Sequence, residues 1–204
     1  MKNTRSSYRS AGQRGVSLII VLLLLVIVSI LGVGAAQIAT MGERSSRNDR
    51  DMQVAWQSAE AALMDAEFDI HGPVDSSRRT VFTRMANTNA FVSGCGSSGN
   101  SKGLCALETT AKPAWLTVDF TATTGAKTAA YGDFTGRSFQ SGSTGSQPTG
   151  IQPSKPPRYV IEPIEDPANR DISGSTTSYI YRVTAMGFGP RDDIQGVVQI
   201  IYRD

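Results

Sequence analysis

From Gly15 to Met41 the chain carries no charged side chain, and no other feature restricts its fold so severely. The heart of that run, Val16–Ala36 (VSLIIVLLLLVIVSILGVGAA), is 21 residues long with only Ser17 and Ser29 polar. At a helical rise of ~1.5 Å per residue it spans ~30 Å, the hydrocarbon thickness of a bilayer. Residues 1–14 contribute Lys2, Arg5, Arg9 and Arg14 and no acid. The positive-inside rule therefore keeps this leader cytoplasmic and places everything after residue 42 on the far side of the membrane.

Three readings compete for the segment. A conventional secretory signal would be cut near Gly34–Ala36, although its apolar region would exceed the usual ~7–15 residues. A signal anchor would stay uncut. A prepilin-type signal would be cut before the apolar run, after a glycine, and Arg14-Gly15 followed by Val16-Ser17-Leu18-Ile19 is such a basic–glycine–apolar junction.

The thirty residues beyond the apolar run separate these readings. Met41 to Ile70 contains no proline, and its only glycine is Gly42. Met52, Ala55, Trp56, Ala59, Leu63, Ala66 and Ile70 recur at steps of three and four, which predicts a narrow apolar helical stripe. Arg47, Asp49, Arg50, Asp51, Gln53, Gln57, Glu60, Asp65 and Glu67 fill the remaining, polar face. His71-Gly72-Pro73 then stops the helix. One rod from Val16 to Ile70 would be roughly 80 Å long, with one half suited to lipid and the other to a protein surface. Gly32 and Gly34 lie within the span, and Gly32-x-x-x-Ala36 has helix-contact spacing. Glycine is equally an ordinary constituent of membrane helices.

Beyond Pro73 the pattern changes. Residues 76–91 predict one short helix with Val81, Phe82 and Met85 inward. Cys95 and Cys105 flank a short polar loop, and outside the cytoplasm such a pair closes a structural disulfide. Residues 121–157, rich in Thr, Gly, Ser and Pro, read as a long exposed loop. Three strands come after it: Arg158–Ile164, Ser178–Phe188 and Gln195–Arg203. In the second, Tyr179, Tyr181, Val183 and Ala185 alternate with Ile180, Arg182 and Thr184, the pattern of a half-exposed strand. An α+β domain of about 130 residues (72–204) is expected, its small antiparallel sheet covering the distal half of the long helix.

Catalysis is not indicated. His71 is the one histidine, so no Ser–His–Asp or Cys–His set can be assembled. Glu162, Glu165 and Asp166 read as solvated loop charges; Asp166, Asp171, Asp192 and Asp193 could contribute to a calcium site, but they lack EF-hand spacing. A net charge of +2 without a basic stripe gives no nucleic-acid surface. No metal and no cofactor is expected.

The stretch GVSLIIVLLLLVIVSILGVGAAQIATMGERSSRNDRDMQVAWQSAEAALMDAE is similar to the N-terminal region of PilX-type minor pilins of type IV pili. The resemblance is carried by Gly42-Glu43-Arg44, Asn48-Asp49-Arg50-Asp51 and Ala55-Trp56-Gln57-Ser58-Ala59-Glu60-Ala61-Ala62-Leu63. It covers about residues 14–68 closely. Further on it is carried more thinly by Gly103-Leu104-Cys105, Trp115, Tyr159–Glu162 and Tyr181–Ala185. It implies a pilin fold divided into a leader (1–15), a transmembrane or filament-core helix (16–40), an amphipathic helix (41–71) and a periplasmic head. It also implies cleavage by a prepilin peptidase between Gly15 and Val16, with N-methylation of the new terminus. The implied life cycle is insertion in the inner membrane and later transfer to the extracellular pilus. The implied partners are other minor pilins, the major pilin and a tip adhesin. Most pilins carry glutamate at the fifth mature position, where this chain has Ile20. That departure suggests a tip location. It is shared by type II secretion pseudopilins of the GspK kind, the alternative reading.

Overall fold

The computed structural model describes residues 15–72, 78–82, 88–142, 150–169 and 178–203. One helix, α1, runs Val16–His71, and contacts divide the chain into two units at Asn48/Asp49. In the first unit almost every side chain is exposed, from Leu18 at 70% to Ile38 at 73%. Two of the hydroxyls in this apolar stretch bond back to their own helix. Ser29 Oγ donates to Leu25 O at 2.7 Å and Thr40 Oγ1 to Gln37 O at 2.9 Å, so neither leaves its hydroxyl unsatisfied on an apolar surface. Glu43 and Arg47 form the first ion pair along the helix.

In the second unit α1 lies against one face of a four-stranded antiparallel sheet ordered β1-β2-β3-β4. These strands are β1 (Ala129–Ala130), β2 (Arg158–Glu165), β3 (Tyr179–Phe188) and β4 (Gln195–Tyr202). The three expected strands are present, each within a residue of its anticipated ends, and the architecture is the α+β arrangement of a pilin fold. The core between helix and sheet gathers Ala62, Leu63, Ala66 and Ile70 of α1 with Tyr159, Ile161, Tyr181, Val183 and Ala185 of the sheet. Phe82 and Phe91 close its end, with ring centroids 5.3 and 6.3 Å from that of Tyr181.

Three expectations need correction. The anticipated helix over 76–91 is, within its described part, a turn at 78–81 and a single 3-10 turn at Thr88–Ala90; Val81 and Phe82 are buried as expected, and Met85 lies outside the described residues. The stretch 121–157 is not uniformly exposed. Ala126, Thr128, Ala129 and Thr135 are buried and β1 lies within it, because its polar groups find partners in the fold. Finally, β3 is not half-exposed: Ile180 and Thr184, on the face away from α1, are 6% and 1% exposed. A second layer made of Cys95, Cys105, Ala114 and Phe120 packs there on Val160 and Met186. Its short helix α2, Ala114–Thr117, has no periodic signal long enough to read from sequence.

Candidate functional site

For a chain of this design the functional geometry is the junction at the start of α1 and the surfaces by which the head is built onto it. Gly15 has φ +117°, a backbone conformation that side chains rarely adopt. The helix begins at the next residue, Val16, with no acid in its first turn. The bond between Gly15 and Val16 is thus the last non-helical peptide before the apolar span, and both residues are exposed. A free amino group created there would sit at the positive end of the helix dipole, which disfavours a cation. Ile20, one turn on and 53% exposed, offers only a hydrocarbon.

The helix–sheet seam is set by small residues. Ala55, Ser58, Ala59 and Ala62 are buried, and opposite them lie Gly187 of β3 and Gly196 of β4, which pair across the ladder. A Cβ on Gly187 would fall 2.2 Å from both Ala55 O and Ala59 N, whereas one on Gly196 would make 3.4 Å contacts with Ala55 and Trp56. The closest approach is therefore over β3. Met52 and Trp56, placed in the apolar stripe from sequence, remain 38% and 49% exposed beside it.

The last turns of α1 are locked by two acids. Asp65, expected on the solvated face, is fully buried. It accepts hydrogen bonds from Gly132 N–H at 2.8 Å and Thr135 Oγ1 at 2.5 Å, and lies 3.7 Å from Arg137 Nη1. Asp69 accepts from Tyr159 Oη at 3.0 Å and pairs with buried Arg78 at 3.0 Å. Arg78 in turn donates to Lys102 O at 2.7 Å and stacks 3.6 Å from the Phe134 ring centre. Burial pushes the Asp69 carboxyl up to about 6, against the pull of Arg78 and the Tyr159 hydroxyl. The same burial lowers Arg78 and raises Tyr159. A sequence signal existed. Asp65 and Asp69 stand one turn apart beside the apolar stripe, with no base three or four residues from either to pair with them along the helix.

Cys95 and Cys105 form a disulfide. The loop they close hydrogen-bonds to the edge of β2. Cys105 N–H donates to Ile161 O and Ile161 N–H to Gly103 O, each at 2.9 Å, beyond the point where the two-residue β1 stops. The disulfide loop thus continues the sheet on the β2 side.

The acids considered as candidate ligands are placed as structural groups. Glu162 and Asp166, expected as solvated loop charges, are instead buried: Glu162 lies within β2 against Arg182 at 2.8 Å, its carboxyl raised by burial. Asp166 meets Arg203 at 2.8 Å, Asp192 meets Lys155 at 3.3 Å, and Asp193 meets Arg191. Asp171 lies outside the described residues. His71 is the last residue of α1. Among the described residues no group of three or more His, Cys, Asp or Glu is placed to hold a metal ion.

Two family comparisons match this chain. The PilX N-terminal family matches residues 14–63, and the family described as type IV pilus assembly protein PilX, C-terminal part, matches residues 42–204. No curated protein and no solved structure matches it.

Proposed function

The chain belongs to the PilX family of type IV pilus assembly proteins, and from that membership we propose that it acts at the pilus tip, in an initiating complex with other minor pilins and an adhesin. The observation that carries the reading is Ile20. In this proposal a prepilin peptidase cuts between Gly15 and Val16, and the mature subunit waits in the inner membrane on residues 16–40 with its head periplasmic. On assembly, its new amino terminus enters an apolar filament core where an uncompensated charge is costly. A glutamate at the fifth mature position would compensate the terminus of the next subunit stacked against it. Ile20 cannot. A subunit at the very end has no such neighbour to serve, so the absence costs nothing only there.

The role is structural rather than enzymatic, and the support for that is the family and the pairing of Glu162, Asp166, Asp192 and Asp193 with basic side chains. The test is Ile20→Glu with tip and shaft labelling of intact pili. Wild-type chain is expected at pilus ends only, with the variant appearing along the shaft. Frequent wild-type label along the shaft would overturn the tip placement.

A further inference from the structure

We propose that the open edge of β4 is a docking site for an extended strand of a neighbouring pilus subunit, which adds to the sheet as a further strand. The inference rests on the reading of this chain as a pilus subunit, and its geometry comes from the contrast between the two sides of the sheet. On the β2 side the edge is covered from Arg158 to Ile161 by the two residues of β1 and by the disulfide loop, which pairs Leu104 with Ile161, and Pro163 follows in the strand. On the other side β4 runs for eight residues and no further strand pairs with it among the described residues.

The ladder fixes which groups face outward. Gly189 N–H donates to Ile194 O at 2.7 Å, in line with the β3–β4 register. Antiparallel pairing alternates, so the even-numbered residues of β4 address β3. Val197, Gln199 and Ile201 therefore direct their N–H and C=O groups away from the sheet. Water bonds such groups one at a time, whereas an extended chain can pair with the whole row.

Natural sheets blunt edges of this kind with lysine, proline, inward charges or brevity. Here Gln195–Tyr202 reads QGVVQIIY, without a charge or a proline. The side chains of Val197 and Ile201 are 45% and 63% exposed on the face away from α1. On the helix side Val198 and Ile200 are only half-buried, because the closest helix approach is over β3. The strand that fits is uncharged over about five residues, with aliphatic or β-branched side chains opposite Val197 and Ile201 and a polar one opposite Gln199. Main-chain bonds supply affinity in such strand addition, and the alternate side chains supply choice of partner.

The experiment uses the full chain in piliated cells, with a photo-crosslinking amino acid replacing Gln199 and, separately, Leu22 of the apolar span. The Gln199 reporter is expected to join another pilus subunit through a stretch of the stated composition. That adduct should fall at least tenfold when Val197→Lys and Ile201→Lys are combined, both changes lying at exposed side chains. The Leu22 adducts should persist, and circular dichroism of the purified variant should match wild type. No Gln199 adduct while Leu22 still joins pilus subunits would overturn the edge proposal and leave the pilus reading standing. An adduct to a second copy of this chain, or one indifferent to the lysines, would also overturn it. Absence of adducts at both reporters would overturn the pilus reading and this inference with it.

Discussion

Replacing Gly187 with alanine tests the helix–sheet seam at its tightest point. Neither Gly187 nor Gly196 has a positive φ, so alanine at either position is free of backbone strain and the difference between them is one of space. At Gly187 the added carbon would lie 2.2 Å from backbone atoms of both Ala55 and Ala59, which have no rotamer to change. The helix has to retreat by about 1 Å, and a gap of that size forfeits a quarter to a half of each contact it opens. Overpacking of this kind costs ~1–3 kcal/mol, and a backbone obstacle places Gly187 at the upper end. Alanine returns about 0.5–1 kcal/mol by stiffening the unfolded strand. The net expectation for Gly187→Ala is a loss of about 2 kcal/mol. For Gly196→Ala, where the new contacts are 3.4 Å, it is a change near zero or slightly stabilising. Urea unfolding of the detergent-solubilised chain, monitored by tryptophan fluorescence, measures both, since Trp56 touches the seam. Equal stabilities for the two variants, within ~0.5 kcal/mol, would refute the reasoning.

The geometry yields three further expected outcomes. Asp69 binds its proton more tightly in the folded chain, at about 6, than at its ordinary 3.8. Its contribution to stability is therefore largest in acid and is lost as pH rises through that window, by on the order of 3 kcal/mol. Asp69→Asn should flatten the fall in unfolding free energy between pH 4 and 7, although it lowers stability overall by leaving Arg78 without its counter-charge; an unchanged slope would contradict the assignment. Reducing the Cys95–Cys105 bond, which closes a loop of sequence separation 10, should lower stability by about 2.5 kcal/mol. The check is the urea midpoint with and without dithiothreitol. The Ile20→Glu variant should move label from pilus ends to shafts.

The long helix, the three principal strands and the family were legible in the sequence because each rests on a local period or a contiguous motif. The stripe Ala55–Ala59–Leu63–Ala66–Ile70 announced the buried face. Trp56 did not obey it, because a stripe defines a direction and the width of what covers it depends on the sheet. Asp65 was misplaced for a related reason. A carboxylate at the stripe's margin is buried only if distant donors arrive, and those donors, Gly132 and Thr135, come from a stretch whose composition reads as loop. The second layer over β3 was invisible because a four-residue helix and a disulfide loop carry no periodicity. At the start of α1, by contrast, the residue types alone carry the reading, since what singles out Gly15, Val16 and Ile20 is the absence of a charge.

The seam joins parts of the chain that are made far apart in time. Ala55 and Ala59 emerge early, whereas Gly187, which lets the sheet close on them, comes about 130 residues later. At ~5–20 residues per second of synthesis, the alanine face of the helix waits roughly 7–26 s for its cover. Until then that face is open to chaperones, to proteases and to the same face of other nascent chains. A chain that stops before β3 never covers that face, so the seam forms only once Gly187 has been made.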